Sequence, residues 1–380
     1  LTETAQRGIE LLFKTVGRFN IGWSPLSFGL PRGEILKRPF AGWENIFTQD
    51  YLRAEGITWF YLSSAPYQWA GAEPHVELSV LLSHAYSILK ELDAIGLPVE
   101  TVRSKISFGL SLGTDVLIES GKITALKVLW DRLFELVSDN PSGSSAEVYG
   151  LPSLRYFSGR DPWNNIMRVT LMAFAALTGG AQGFKCIPFD ALNRHKSPDA
   201  IRVSTNIPLI LKNEGFLNQV ENPYDGSSLF KDTVDQLCAS AWAHFQEIER
   251  KGGVFEAVRS GWLQSEIKRS GEASKNTLSY REKELVGVNK FVAKDPHYGQ
   301  DEGSQLVRLN EIIDPLFLKK SDDDYLSVEP LMVSAIGYDW EKMQCLSDKY
   351  LYRNGERPSV TVIKGGGPIV EKKAAWLQTL

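Results

Sequence analysis

Residues 151–190 read LPSLRYFSGRDPWNNIMRVTLMAFAALTGGAQGFKCIPFD, and the order of signals along this stretch sets the fold. A short β-prone run comes first. Asp161-Pro162 then has the chemistry of a helix start: the carboxylate accepts from N–H groups that lack partners in a first turn, and a proline there gives up no needed donor. Ile166, Val169, Leu171, Met172, Phe174, Ala176 and Leu177 follow at spacings that spread over much of a helix surface, as expected beneath neighbouring elements. Gly179-Gly180 stops the helix. GFKCIPFD (183–190) is an apolar run suited to a strand buried on both faces. Strand, helix and strand in that order make one unit of a parallel α/β fold.

Similar units lie on the amino-terminal side. Ile9, Leu11, Leu12, Phe13 and Val16 place a helix over 1–17, RFNIGWSPLSF (18–28) is strand-like, and residues 43–52 read as a helix. ITWFYLSS (57–64) is rich in β-branched and aromatic residues and reads as a strand. Val76, Leu78, Leu81, Leu82, Ala85, Leu89 and Leu92 recur at three-and-four spacing, predicting a helix over 73–94. KISFGLSLG (105–113) is the next strand, residues 115–137 the next helix, and DNPSGSSA (139–146) a turn-rich loop. Downstream, helices are expected around 198–213, with Pro208 as a kink point, and 229–252. Residues 293–324 turn charged and read as a surface connector. The end, ERPSVTVIKGGGPIVEKKAAWLQ, looks like strand, glycine loop and helix.

A chain of 380 residues can bury a large core, and its net charge of −4 gives no nucleic-acid footprint. Cys186, Cys238 and Cys345 lie far apart without a CxxC pair, so neither a zinc site nor a disulfide framework is indicated, and a reducing cytoplasm fits. No apolar run is long enough for a membrane span. The sequence begins with Leu1, read as a sign that an amino-terminal portion was removed or left out. GxSxG and P-loop patterns are absent.

RDPWNNIMR, AALTGGAQ and PFDAL, followed by Asn222-Pro223-Tyr224-Asp225-Gly226-Ser227, AWAHFQEIERKGG (241–253) and VGVNKF (286–291), resemble the adenosylcobalamin-dependent methylmalonyl-CoA mutases. The resemblance is greatest to the small, non-catalytic subunit of the bacterial heterodimers. It implies a (β/α)8 TIM-type barrel over residues 1–292, a connector over 293–355 and a truncated or degenerate Rossmann-like cobalamin-binding-type domain over 356–380. The strand-like stretches near 19–29, 57–64, 105–113, 147–157 and 183–190 are then the last five of eight, with the first strands missing from this sequence or supplied by another chain. A bare five-strand arc would leave two open edges.

The resemblance also bears on chemistry. The catalytic family forms a radical by homolysis at cobalt, and a histidine after the fifth strand donates to the thioester carbonyl of the acyl-CoA. Here that stretch reads Ser63-Ser64-Ala65-Pro66-Tyr67-Gln68-Trp69-Ala70-Gly71-Ala72. Gln68 takes the histidine's place in the small-subunit register and Pro66 in the longer one; neither is a general acid, so no catalytic residue is assigned. Tyr67, Gln68, Trp69, Arg155 and Lys185 either pack the barrel mouth or line a substrate tube. Arg155, Arg160 and Arg168 would meet phosphate or carboxylate, or else form surface ion pairs and caps. Asp295-Pro296-His297-Tyr298-Gly299 departs from the cobalt-ligand motif Asp-x-His-x-x-Gly, and Lys364-Gly365-Gly366-Gly367-Pro368 is followed by no histidine. No metal ligand is assigned to this chain, and adenosylcobalamin is expected in a catalytic large-subunit partner. The resemblance thus implies a structural subunit of a heterodimer, with the helix 241–253 and the carboxyl-terminal region as contact surfaces. The alternatives are a diverged subunit that binds acyl-CoA itself and takes cobalamin from another chain, and a scaffold or chaperone of the mutase.

Overall fold

The runs Ile57–Ser63 and Ile106–Leu112 pair in parallel within a five-stranded sheet in the computed structural model of the chain. The structure describes residues 19–24, 26, 29–37, 40, 57–139, 146–193, 197–293 and 325–358. The expected helices over 1–17 and 43–52, the charged stretch 294–324, the motifs at 295–299 and 364–368 and the final strand–loop–helix lie outside these residues.

The strands are β1 (Phe19–Trp23), β2 (Glu34–Leu36), β3 (Ile57–Ser63), β4 (Ile106–Leu112), β5 (Glu147–Pro152), β6 (Gly183–Phe184) and β7 (Tyr325–Ser327). The main sheet runs β1-β3-β4-β5-β6, every pair parallel, while β2 and β7 form a separate antiparallel ribbon. The helices are α1 (Ala65–Ala70), α2 (Pro74–Ala94), α3 (Val99–Arg103), α4 (Val116–Val137), α5 (Asn164–Thr178), α6 (Ala200–Asn213), α7 (Ser228–Arg250), α8 (Val254–Arg259), α9 (Trp262–Ser279) and α10 (Tyr338–Asn354).

Parallel strands need a crossover between them, and α2, α4, α5 and α6 follow β3, β4, β5 and β6 in turn, each touching the next. Local chemistry starts them. Pro74 opens α2, and Asp115 Oδ1 accepts from Ile118 N at 3.2 Å to cap α4. Phe60, Leu62, Phe108, Leu110, Leu112 and Val148 meet Leu81, Ala85, Leu126, Trp130, Val169 and Met172 in one buried core. Each of the larger aliphatic and phenyl side chains contributes about 1.5–3 kcal/mol by leaving water. Helix α7 lies over α2 and α4 and buries Ala241, Phe245 and Ile248. The apolar face of the 241–253 segment, expected as a contact surface, is therefore turned inward. No helix among the described residues is long and apolar enough to cross a membrane.

Two details of the opening stretch differ from expectation. Helix α5 begins at Asn164 rather than at Asp161-Pro162. The Asp161 carboxylate is taken by the Asn164 side-chain amide at 2.6 Å, and Asp161 N donates to Ser158 Oγ, so the chain makes a turn before the helix starts. GFKCIPFD is strand only over Gly183–Phe184, with Lys185 N still donating to Gly150 O at 2.8 Å, and Lys185 is exposed. It is the outermost strand with no neighbour beyond it among the described residues, and Pro188 brings no N–H to a ladder. Gly179 and Gly180 do end α5, Gly180 at φ 77. Helix α6 runs on through Pro208.

The carboxyl-terminal described segment is more than a connector. It straps across the loops that follow the strands: β7 pairs with β2, Ser334 N donates to Trp69 O, and Ile336 N donates to Arg155 O at 2.7 Å. Its helix α10 is pinned by Glu341, buried and accepting from Ser158 Oγ, from Gly159 N at 3.1 Å and from Arg160 N at 3.3 Å. Arg160 closes the latch with a two-pronged pair to Asp348. Leu278, Leu285, Val288, Ile336 and Trp340 form a second, smaller core there.

Helices α1 and α9 touch almost backbone to backbone. A Cβ built on Gly271 would sit 2.5 Å from Ala70 O, and Gly71, at φ 109, faces it. Gly271→Ala is expected to cost about 1–3 kcal/mol, the range for overpacking, read as a lower urea midpoint with an unchanged slope.

Candidate functional site

In a parallel α/β sheet the carboxyl ends of the strands are where ligands meet the protein. Register fixes what each strand presents. Phe108 packs edge-on against Trp130 of α4 at 5.3 Å, so the even-numbered residues of β4 face the helices. Ser107, Gly109 and Ser111 therefore face the other side. Pairing puts Tyr61 and Ser63 of β3, Tyr149 and Leu151 of β5 and Gly183 of β6 on that same inner face. The tyrosines lie over glycines: a Cβ on Gly109 would be 2.1 Å from Tyr61 Oη, and one on Gly183 would be 3.2 Å from Tyr149 Cδ1. Burial, with Tyr149 nearby, pushes the Tyr61 phenol up to about 12. Serine, glycine and tyrosine thus make up most of this wall, where the parallel barrels' interiors are mostly branched aliphatic.

At the mouth, β3 runs straight into α1, which Pro66 starts and the left-handed Gly71 ends. Helix α1 points Gln68 at the ends of β4 and β5. Its Oε1 accepts from Ser111 Oγ at 3.3 Å and from Ser153 Oγ, while Trp69 Nε1 donates to Ser111 Oγ at 3.2 Å. The chain of bonds continues inward. Ser111 N donates to Ser64 Oγ, and Ser64 Oγ donates to Glu77 Oε2 at 2.7 Å. Lys122 Nζ donates to Glu77 Oε1 at 3.0 Å and to Ser111 O at 2.7 Å, and pairs with Glu119 Oε2 at 2.7 Å. Burial pushes the Glu77 carboxyl up further than Lys122 pulls it down, and Glu119 adds to the push. Burial works against the Lys122 cation, but Glu119 and Glu77 more than offset it, so the ammonium stays charged.

The five residues singled out from sequence are not one cluster. Tyr67, Gln68 and Trp69 share α1, and Arg155 joins them: its Nη1 donates to Trp69 O at 3.2 Å and to Ser334 O at 3.4 Å, its Nη2 to Gly271 O at 3.3 Å. The guanidinium is buried among backbone carbonyls, in neither a surface ion pair nor an anion site. Arg168 is likewise buried, donating to Asn165 Oδ1 at 2.8 Å and to Val286 O. Lys185 stands apart, exposed beyond β6. The Tyr67 hydroxyl is fully buried without a hydrogen-bond partner among the described residues, and burial raises its pKa. Ser64, Glu77, Ser111, Glu119, Lys122 and Ser153 were not foreseen. The available signal was charge inside apolar helical stripes, Glu77 between Val76 and Leu78 and Lys122 beside Ile123.

The histidines among the described residues, His75, His84 and His244, all sit on α2 and α7. His84 is enclosed in the core, where burial lowers its pKa to about 3. His244 bonds Ser79 Oγ and, through Nε2, Glu266 at 3.0 Å, with His75 edge-on to it at 5.7 Å on the helical side. No group of three or more His, Cys, Asp and Glu side chains among the described residues could hold a metal.

The model of the family described as "Methylmalonyl-CoA mutase" matches residues 50–309, which span β3 to β6, the mouth and α7 to α9. The chain belongs to that mutase family. The probable methylmalonyl-CoA mutase small subunit of Mycobacterium tuberculosis (strain ATCC 25618 / H37Rv) is 31% identical over 306 residues, covering 79% of this chain and 45% of that protein. The methylmalonyl-CoA mutase small subunit of Streptomyces virginiae is 30% identical over 296 residues, 76% of this chain and 47% of that protein. The large subunit of Propionibacterium freudenreichii subsp. shermanii is 26% identical over 244 residues, 63% and 34%. This mutase-family chain thus spans just under half the length of the small subunits it matches.

Removing the cation from the buried trio tests the network. In Lys122→Met, Glu77 and Glu119 face each other without a counter-charge, and the loss is expected to be about 3–5 kcal/mol at pH 8. A carboxyl whose folded pKa is raised contributes stability that is lost as pH rises through that pKa. The deficit should therefore shrink at pH 5, measured by urea unfolding at both values.

Proposed function

We propose that this chain acts as a small-subunit-like component of an adenosylcobalamin-dependent methylmalonyl-CoA mutase. Its five-stranded arc would form part of a (β/α)8 barrel, and isomerisation between methylmalonyl-CoA and succinyl-CoA would take place in a catalytic large subunit that also holds the cobalamin. The observation that carries this reading is Gln68 at the barrel mouth. Its Oε1 is committed to Ser111 and Ser153, and a neutral carboxamide has no proton to give at working pH. The names of the similar small subunits support the same reading.

A second reading keeps a ligand in the picture. The hydroxylated inner wall of Tyr61, Ser107, Ser111 and Tyr149, with glycine at 109 and 183, favours a diverged subunit that accommodates an acyl-CoA. Calorimetric titration of the purified chain with methylmalonyl-CoA separates the two readings: heat of binding favours the second, no heat the first.

The main test is co-expression with a family large subunit. A 1:1 complex is expected, turning over methylmalonyl-CoA only when the large subunit is present. Turnover by this chain alone with added adenosylcobalamin, or no association at all, would overturn the reading.

A further inference from the structure

Helix α5 carries one charged side chain, Arg168, and turns it inward, where the guanidinium is buried. Its outer face is apolar. Trp163 at the start of the helix, Met167 and Leu171 follow at intervals of four and so share that face; they are 47%, 61% and 43% exposed. Thr170 beside them spends its hydroxyl on Ile166 O at 2.9 Å. An outer helix in water carries charge on such a face, whereas a helix that is apolar all round is a covered one. On the flank of α5, the run 286–293 is tied down by Arg168 to Val286 O and by Arg160 to Ala293 O at 3.0 Å. It holds Phe291 at φ 54 and 74% exposed, a left-handed backbone that an aromatic residue adopts only under strain.

The cover for this face has to come from outside the barrel layers. Helix α5 has β5 beneath it and α4 and α6 on its two sides, and the turn at 217–219 touches it as well. Anything added at an edge of the sheet would lie beyond β1 or β6, not over α5. Helix α7 lies over α2 and α4, and α10 is pinned to the loop before α5. A partner met only in passing would leave the stripe in water most of the time, so an uncharged centre fits a permanent one. The four side chains expose on the order of 400 Å², against roughly 800 Å² per partner in a stable interface. They are therefore the apolar centre of a wider contact, and that width calls for a body of subunit size.

We infer that the Trp163–Met167–Leu171 stripe of α5, with Phe291 on its flank, is the surface on which the catalytic large subunit docks through an uncharged apolar face. The inference rests on the small-subunit reading, which supplies the partner. The probe is the large subunit of Propionibacterium freudenreichii subsp. shermanii, co-expressed with the full 380-residue chain. Met167 reports on the stripe directly, because peroxide oxidises an exposed thioether and mass spectrometry reads the sulfoxide. In the isolated chain Met167 should oxidise at least tenfold faster than the fully buried Met172, and in the complex at least tenfold more slowly than in the isolated chain. Met167→Asp/Leu171→Asp should keep the far-UV spectrum and melting temperature of the parent and bind at least tenfold more weakly. Val128→Asp/Leu136→Asp, at exposed positions on α4, should bind as the parent does. The oxidation is read on the unaltered chain, so it decides even where the aspartates disturb the fold. A complex in which Met167 stays reactive, or equal loss of binding in the two double variants, would overturn the inference and leave the proposed function standing. Absence of any complex would overturn both. Slow oxidation of Met167 in the isolated chain would overturn the inference as well: if independent of concentration, this chain's own residues cover the stripe, and if it appears only on concentrating, a second copy does.

Discussion

Lys122 carries its charge inside the molecule, held between Glu77 and Glu119 and tied to the Ser111 carbonyl. Taking an ion from water costs several kcal/mol, and the cost is met only where geometry and further hydrogen bonds are good. That requirement propagates. Glu77 sits on α2 and Lys122 on α4, so the two crossover helices are fixed in axial position relative to each other and to the end of β4. Ser64 then links the trio to β3, and Ser111 links it to Gln68 and through it to Ser153 after β5. A partly satisfied network of this kind would be worse than an apolar core. Its bonds set the ends of three strands at one level.

Along the strands that lead up to that level, glycines set how closely each face is approached. Glycine at 109 and 183 leaves room for the rings of Tyr61 and Tyr149 to lie flat on the neighbouring strand rather than stand out from it. The opposite face does the reverse: Gly150 lets Ala176 and Leu112 close against the backbone, drawing α5 tightly onto the sheet. The same residue type thus thins one side of the sheet and tightens the other. Stability comes from the helix-facing core, and the inner wall is left to hydroxyl and ring chemistry.

The strands and main helices were legible because each obeys a local rule. ITWFYLSS and KISFGLSLG are β-branched or aromatic runs, and residues 73–94 and 115–137 keep a helical period. The start of α5 was misplaced since Asp161, a good cap by type, spends its carboxylate on Asn164, a competition visible only in three dimensions. The strand at 183–190 was overestimated because apolarity alone does not say whether a neighbour exists to pair with. For Arg155 the sequence leaves open mouth packing, a substrate tube, an anion contact or a surface pair; its three acceptors lie at residues 69, 271 and 334, and no local pattern could bring them together. Gln68 is singled out by position, but the serines that hold its oxygen come from β4 and from the residue that follows β5.

The Arg155 junction has a temporal side as well. Its guanidinium cannot be satisfied until the chain has been made as far as Ser334, well after β3, β4 and β5 exist. Until then a cation and two glycine-backed helices meet without their third member, and the ends of the strands stay open to solvent. Closure of this clamp accordingly comes later in synthesis than the pairing of β3, β4 and β5, governed by long sequence separation rather than by local propensity. A nascent chain stalled before that point would present the arc uncovered, in the form a chaperone would meet.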